Sequence, residues 1–261
     1  MSWKNSLQRG LIHMNLIKVN DYEEMSQTVC KIISEKLTEL SSPVLGLATG
    51  STPQRLYELL VDEYKQGKIS FANTHTVNLD EYVGLDSTDP NSYRYYMDTI
   101  LFDHIDIPKH QAHIPNGAAT DLQKECEDYE AIIRSAGGVD LQLLGIGLNG
   151  HIGFNEPGTS FTSRTHVVAL DESTREANAR FFNSIDDVPT QAITMGIDSI
   201  FESKEIVLMI SGEKKAEALY KLINGDVTED FPASILQNHE NVTVVADKAA
   251  LSLLQTKQDS Q

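Results

Sequence analysis

Residues 145–158 read GIGLNGHIGFNEPG, which places His151, Asn155 and Glu156 within a single glycine-rich loop. A histidine beside a carboxylate is a proton-transfer pair, because the imidazole changes charge close to neutral pH. The same side chains would also serve simply to tie the loop down, and the loop alone leaves both readings open. A second source of a general base is the carboxylate pair Asp80 and Glu81 in the run NLDEYVGL. Acidic residues that follow a strand are commonly solvated, so the pair is weak evidence by itself. The turn Thr49, Gly50, Ser51, Thr52 ahead of Pro53 brings hydroxyls and backbone N–H groups to the start of a helix, which suits a phosphate. Helix capping needs only one such hydroxyl. Arg180 and Lys215, on different helices, are cations within plausible reach of an anion held at Ser51, with surface ion pairing as the alternative for each.

Two other patterns invite different chemistry. Gly145, Gly147 and Gly150 have the G-x-G-x-x-G spacing of a dinucleotide site, with Asp171 downstream. That motif requires a helix to open at the third glycine. Residues 151–158, HIGFNEPG, cannot begin a regular helix, so no nicotinamide cofactor is expected. His110 and His113 lack the matching pair that a metal site would need, and no metal is expected either. His239 is expected to cap or pack, and Tyr93, Tyr95 and Tyr96 to pack along a helix.

These residues must be held by something regular. Leu141, Leu143, Leu144 and Ile146 form a short apolar run of the kind found in a strand covered on both faces. Further strands are predicted over 16–19, 43–48, 74–79, 165–170, 206–210 and 238–247, with helical patterns between most of them. Asp21 and Glu24 resemble a capping box, Ser51 or Thr52 is the expected cap of the helix after Pro53, and Ser92 caps another. The alternation predicts an α/β fold with a mainly parallel sheet and helices on both faces. In such sheets ligands bind beyond the carboxyl ends of the strands, where the unusual residues fall. The helical pattern over 171–182, with Arg175, Asn178 and Arg180 on a polar face, is placed to cover that site.

The chain has 261 residues, enough for one sizeable core, and residues 14–261 are expected to form a single catalytic domain preceded by a flexible extension over 1–13. A formal net charge of -17 argues against nucleic acid as a partner. No apolar run approaches the length of a membrane span, so no membrane association and a cytoplasmic location are expected. Cys30 and Cys126 are far apart in helical segments and read as core residues.

The runs LATGSTP, NLDEYVGL, GIGLNGHIGFNEPGTSF, SRT and FPASILQNH together resemble glucosamine-6-phosphate deaminase, from about Met14 onward. The resemblance implies a Rossmann-like α/β fold. It also implies hydrolytic conversion of glucosamine 6-phosphate to fructose 6-phosphate and ammonia in amino-sugar catabolism, with neither redox cofactor nor metal. Carried over residue by residue, Asp80 would move the proton between C2 and C1, and His151 would open the sugar ring with Glu156 and Asn149 orienting it. Gly50, Ser51 and Thr52, with Arg180 and Lys215, would hold the phosphate. The segment 169–182 would act as a lid. The family includes monomers and homo-oligomers.

The chain departs from that pattern in two places. Asn149 stands where some members carry Asp, so the relay to His151 would be an uncharged amide. His166, Val168 and Ala169 replace a basic, hydroxyl-bearing stretch of activated members, which implies no activation by N-acetylglucosamine 6-phosphate. Two rivals share the fold. A 6-phosphogluconolactonase needs one base to activate water, whereas the deaminase needs separate groups for ring opening and for C2 proton transfer. A sugar-phosphate sensor of a transcription regulator would need a DNA-binding module, for which no basic segment is visible.

Overall fold

Runs of Val, Ile and Leu alternate with amphipathic segments along this chain, and each can bury its apolar surface only against the other kind of element. The computed structural model describes residues 14–254 except 171, 173, 174, 177, 178, 180, 181 and 183. In chain order the strands are β1 (Met14–Val19), β2 (Val44–Leu47), β3 (His75–Asn78), β4 (Asp80–Tyr82), β5 (Ala112–His113), β6 (Leu141–Leu144), β7 (His166–Ala169), β8 (Gln191–Thr194), β9 (Ile206–Ile210) and β10 (Val242–Asp247). The helices are α1 (Tyr22–Glu39), α2 (Gln54–Lys65), α3 (Tyr93–Ile100), α4 (Leu122–Ser135), α5 (Ile197–Phe201) and α6 (Ala216–Asn224).

Seven strands form one sheet in the order β1-β10-β9-β6-β2-β3-β5, every pair parallel. Successive side chains on a strand point to opposite faces, and the core divides accordingly. On β9, Val207 and Met209 pack with Met25 and Ile33 of α1 and Leu56 and Leu60 of α2. Ile206, Leu208 and Ile210 pack with Tyr129 of α4 and Leu219 and Leu222 of α6 on the other face. Helices therefore cover both faces, as the alternation predicts. None of the described helices is long and apolar enough to cross a membrane.

Local signals set several helix ends. Asp21 accepts the Glu24 N–H at 2.9 Å, and the Glu24 carboxylate accepts the Asn20 N–H at 2.7 Å. The Ser92 hydroxyl accepts the Tyr95 N–H at 3.1 Å. The expectation that Ser51 or Thr52 caps α2 is corrected: Pro53 occupies the cap position, and no side-chain hydrogen bond closes that end. The final strand starts at Val242, later than expected, because Pro232–Asn238 is a 3-10 helix.

The sequence does not announce a second sheet, antiparallel, with the order β4-β8-β7. The run containing Asp80 and Glu81 is thus a strand of its own beside β8, not the tail of β3. Residues 1–13, expected to be a flexible extension, lie outside the described residues. So do several positions of the expected covering segment 169–182, Arg180 among them.

Candidate active site

Four neighbouring strands of the large sheet, β9, β6, β2 and β3, run parallel, so their carboxyl ends open on one side. There the chain after them encloses a cavity of about 520 Å³. Gly50 and Thr52 line it after β2, Asp80 after β3, Asn149 and His151 after β6, and Lys215 after β9. Residues far apart in sequence meet because parallel strands all deliver their following loops to the same edge.

Asp80 and Glu81 are adjacent, yet the pleat of β4 sends them to different work. Glu81 accepts the backbone N–H groups of Tyr82 at 2.8 Å, Tyr93 at 2.9 Å and Arg94 at 2.9 Å. The last two belong to the first turn of α3, so Glu81 satisfies donors that a helix N-terminus leaves open. Asp80 lines the cavity, is only 7% exposed, and has no side-chain hydrogen bond among the described residues. Burial first, and the neighbouring charge of Glu81 second, push its pKa up to about 8. A carboxylate desolvated in this way holds a proton more strongly than a solvated one, which equips it as a base near neutral pH.

His151 and Glu156 also meet. His151 Nδ1 lies 3.4 Å from Glu156 Oε2, and Asn149 Nδ2 donates to that same oxygen at 2.7 Å. Asn149 Oδ1 in turn accepts the His151 backbone N–H at 3.2 Å. Three side chains of one loop are therefore mutually oriented, with the imidazole about one-third exposed toward the cavity. The loop closes on itself through the Gly147 N–H, which donates to the His151 carbonyl at 2.9 Å. Gly147 is required there for space, since a Cβ would stand 2.3 Å from atoms of the His151 ring. No helix opens at Gly150, so the glycine spacing serves this loop and does not build a dinucleotide turn.

The turn after β2 is held from outside the cavity. The Tyr22 hydroxyl lies 3.0 and 3.1 Å from the carbonyl oxygens of Ser51 and Thr52, and the Tyr96 hydroxyl donates to the Gly50 carbonyl at 2.7 Å. Ser51 is exposed and does not line the cavity, whereas Gly50 and Thr52 on either side do. Lys215 Nζ donates to the Ile146 carbonyl at 2.7 Å, which aims the ammonium into the cavity, and burial lowers its pKa. Arg180 lies outside the described residues.

Tyr93 does more than the expected helix packing. Its ring stacks with Phe154 at 6.2 Å between centroids, its hydroxyl is 3.3 Å from that of Tyr82, and it lines the cavity. The available signal was its place directly after the Ser92 cap, at the end of α3 that Glu81 binds. His239 is buried and structural: it accepts the Asn241 N–H at 3.0 Å on Nδ1, and its Nε2 is 2.8 Å from the Ser203 carbonyl. Among the described residues, no group of three or more His, Cys, Asp or Glu is placed to hold a metal ion.

Comparison with known proteins bears on the family and the fold. A family model described as glucosamine-6-phosphate isomerases/6-phosphogluconolactonase matches residues 20–245. The chain is 61% identical over 238 residues to the glucosamine-6-phosphate deaminase of Oceanobacillus iheyensis, covering 91% of this chain and 95% of that one. It is 55% identical over 240 residues to glucosamine-6-phosphate deaminase 1 of Bacillus subtilis, covering 92% and 99%. A solved monomeric glucosamine-6-phosphate deaminase superimposes with a TM-score of 0.90 at 55% identity, covering 92% of this chain and all of that one. The 6-phosphogluconolactonase of Thermotoga maritima, at 21% identity and a TM-score of 0.72 over 90% of this chain and 100% of that one, shares the fold. With the match spanning most of its length, the chain belongs to the glucosamine-6-phosphate isomerase/6-phosphogluconolactonase family.

Proposed function

We propose that this protein converts glucosamine 6-phosphate and water to fructose 6-phosphate and ammonia. The observation that carries the reading is the presence of two separate proton-transfer groups in one cavity, the unpaired carboxylate of Asp80 and the His151–Glu156 pair. Lactone hydrolysis needs only one base to activate water, whereas aldose-to-ketose conversion of a cyclic sugar needs one group for the ring and another for C2. The identity to relatives named as glucosamine-6-phosphate deaminases supports the same choice.

In this reading the substrate phosphate sits on the turn Gly50, Ser51, Thr52, with its charge met by Lys215 and by Arg180. A site of this kind is needed because the chain as a whole is strongly acidic. His151 moves the proton between the ring oxygen and the C1 hydroxyl, breaking the C1–O5 bond to leave the open-chain aldehyde. Glu156, fixed by Asn149, steadies the imidazole as it gains charge. Asp80 then removes the C2 proton as the C1 carbonyl oxygen takes up a proton, giving an enolamine, and returns the C2 proton to C1 as the nitrogen gives one up, leaving a C1 hydroxyl and an imine at C2. Water adds to that imine and ammonia leaves, so atoms balance with no oxidant or reductant. A buried base free of hydrogen-bond donors suits the C2 step, since the proton on carbon is weakly acidic.

The test is release of ammonia and fructose 6-phosphate from glucosamine 6-phosphate with chelator present and no nucleotide added. Equal amounts of the two products are expected. Hydrolysis of 6-phosphogluconolactone without ammonia release would reassign the chemistry to the lactonase.

A further inference from the structure

We propose that Thr194 is a positioning residue that sets the spacing between the two proton-transfer groups, a role that rests on the deaminase reading above. Thr194 ends β8 and stands directly opposite Asp80 in the antiparallel register. It is fully buried and does not line the cavity. Its hydroxyl accepts the Phe154 N–H at 3.2 Å and lies 3.3 Å from the Met195 carbonyl, to which it donates. One side chain thus joins the strand that pairs with Asp80 to the middle of the loop that carries His151 and Glu156.

The next residue repeats the connection. The Met195 N–H donates to the Leu79 carbonyl at 2.7 Å, immediately before Asp80, and the Met195 carbonyl accepts from Asn155 Nδ2 at 2.8 Å. The other Asn155 Nδ2 bond, also 2.8 Å, goes to Ile152 within the loop. The bonds to Thr194 and Met195 tie Phe154 and Asn155 to the end of β8 and the residue that follows it. The fit is close at Gly153, where a Cβ would lie 3.0 Å from Thr194 Oγ1 and 3.6 Å from Asp80 Oδ2. Asp80 keeps its place through its own ladder with β8, while the loop is held by two ties, the Thr194 hydroxyl at Phe154 and the Met195 carbonyl at Asn155. Loss of the hydroxyl removes the tie nearer His151, so that part of the loop moves relative to Asp80 while the phosphate grip at Gly50, Thr52 and Lys215 is untouched.

Thr194→Val keeps the shape and removes the acceptor, Thr194→Ser keeps the hydroxyl, and Thr194→Cys puts a weaker acceptor in the same space. Because an ångström of misplacement costs on the order of a hundredfold in rate, kcat of Thr194→Val should fall at least about tenfold with KM unchanged. Thr194→Ser should keep most of the wild-type kcat, and Thr194→Cys should fall between the two. With C2-deuterated glucosamine 6-phosphate, the isotope effect on kcat of Thr194→Val should shrink toward unity as ring opening becomes limiting. Melting temperatures of all variants are measured alongside. A Thr194→Val enzyme with wild-type kcat, or a Thr194→Ser enzyme that loses as much as Thr194→Val, would overturn the proposal. If Thr194→Val does not fold, wild-type kcat in Thr194→Cys overturns it instead, and a reduced kcat at constant KM supports it. Wild-type protein that releases no ammonia would sink the deaminase reading itself, so the two failures are distinguishable.

Discussion

Asp80 and Glu81 are consecutive carboxylates with opposite surroundings: Glu81 accepts three backbone N–H groups, while Asp80 accepts no hydrogen bond among the described residues. A donor-rich carboxylate is stabilised in its charged form and a desolvated one is not. Burial nevertheless raises the pKa of Glu81 as well, so the division of labour rests on geometry: one anchors a helix and the other faces the cavity.

Asp80→Asn is expected to lower kcat by about 10²- to 10⁴-fold, the range for loss of a general base, with substrate binding largely retained in equilibrium titration. In the wild type, the base is ionised only above a pKa of about 8 in the free enzyme, so kcat/KM should rise with pH through that value. Stability has the opposite sign. A folded-state pKa raised from 3.8 to about 8 means that Asp80 favours the folded state fully below the lower value. That contribution is lost as pH rises through the upper one. Asp80→Asn should therefore gain in Tm over the wild type between pH 4 and pH 8 (roughly the window set by those two values). Equal Tm at both ends would remove the buried-carboxylate account.

Glu81→Gln should act on the fold before the chemistry. An amide retains one acceptor oxygen where the carboxylate uses both, so buried N–H groups at the start of α3 lose partners at a cost of roughly 1–3 kcal/mol each. Denaturant unfolding measures this, and an unchanged midpoint would show that Glu81 does not anchor the helix.

His151→Gln is expected to slow turnover of the cyclic substrate and make ring opening limiting. Gly147→Ala should have the same kinetic signature without touching the imidazole chemically, because its Cβ would occupy space 2.3 Å from the ring atoms. Steady-state rates and the C2 isotope effect report both. A Gly147→Ala enzyme of full activity would mean that the ring position is not critical.

Lys215→Ala should mainly raise KM. A charge-assisted hydrogen bond to phosphate contributes roughly 1.5–3 kcal/mol, which corresponds to about tenfold to a hundredfold in affinity. The comparison is initial rate against substrate concentration, and a loss confined to kcat would take Lys215 out of phosphate binding.

No activation by N-acetylglucosamine 6-phosphate is expected, since β7 carries His166, Val168 and Ala169, of which only Ala169 is exposed, where the family resemblance implies a basic, hydroxyl-bearing stretch in activated members. The check is the rate curve with and without that ligand. A sigmoidal curve made hyperbolic by it would refute the expectation.

Much of this was decided locally. The capping box at Asp21 and Glu24, the cap at Ser92, the apolar strand ahead of Gly145 and the inability of residues 151–158 to open a helix all depend on neighbours in sequence. The strand and helix order follows from hydrophobic periodicity, and with it the expectation that the chemistry gathers at the strand ends. Periodicity cannot assign a strand of three residues, so β4 was invisible, and with it the separation of Asp80 from Glu81. Two of the three N–H groups that claim Glu81 lie twelve and thirteen positions away. Likewise, Tyr22 steadies a turn thirty residues on. Thr194 meets Asp80 only because the chain returns, after more than a hundred residues, to pair an antiparallel strand beside it. Such contacts are made by the packing of whole layers, whose geometry depends on which long-range pairings bury the most apolar surface; no local window of residues carries that information.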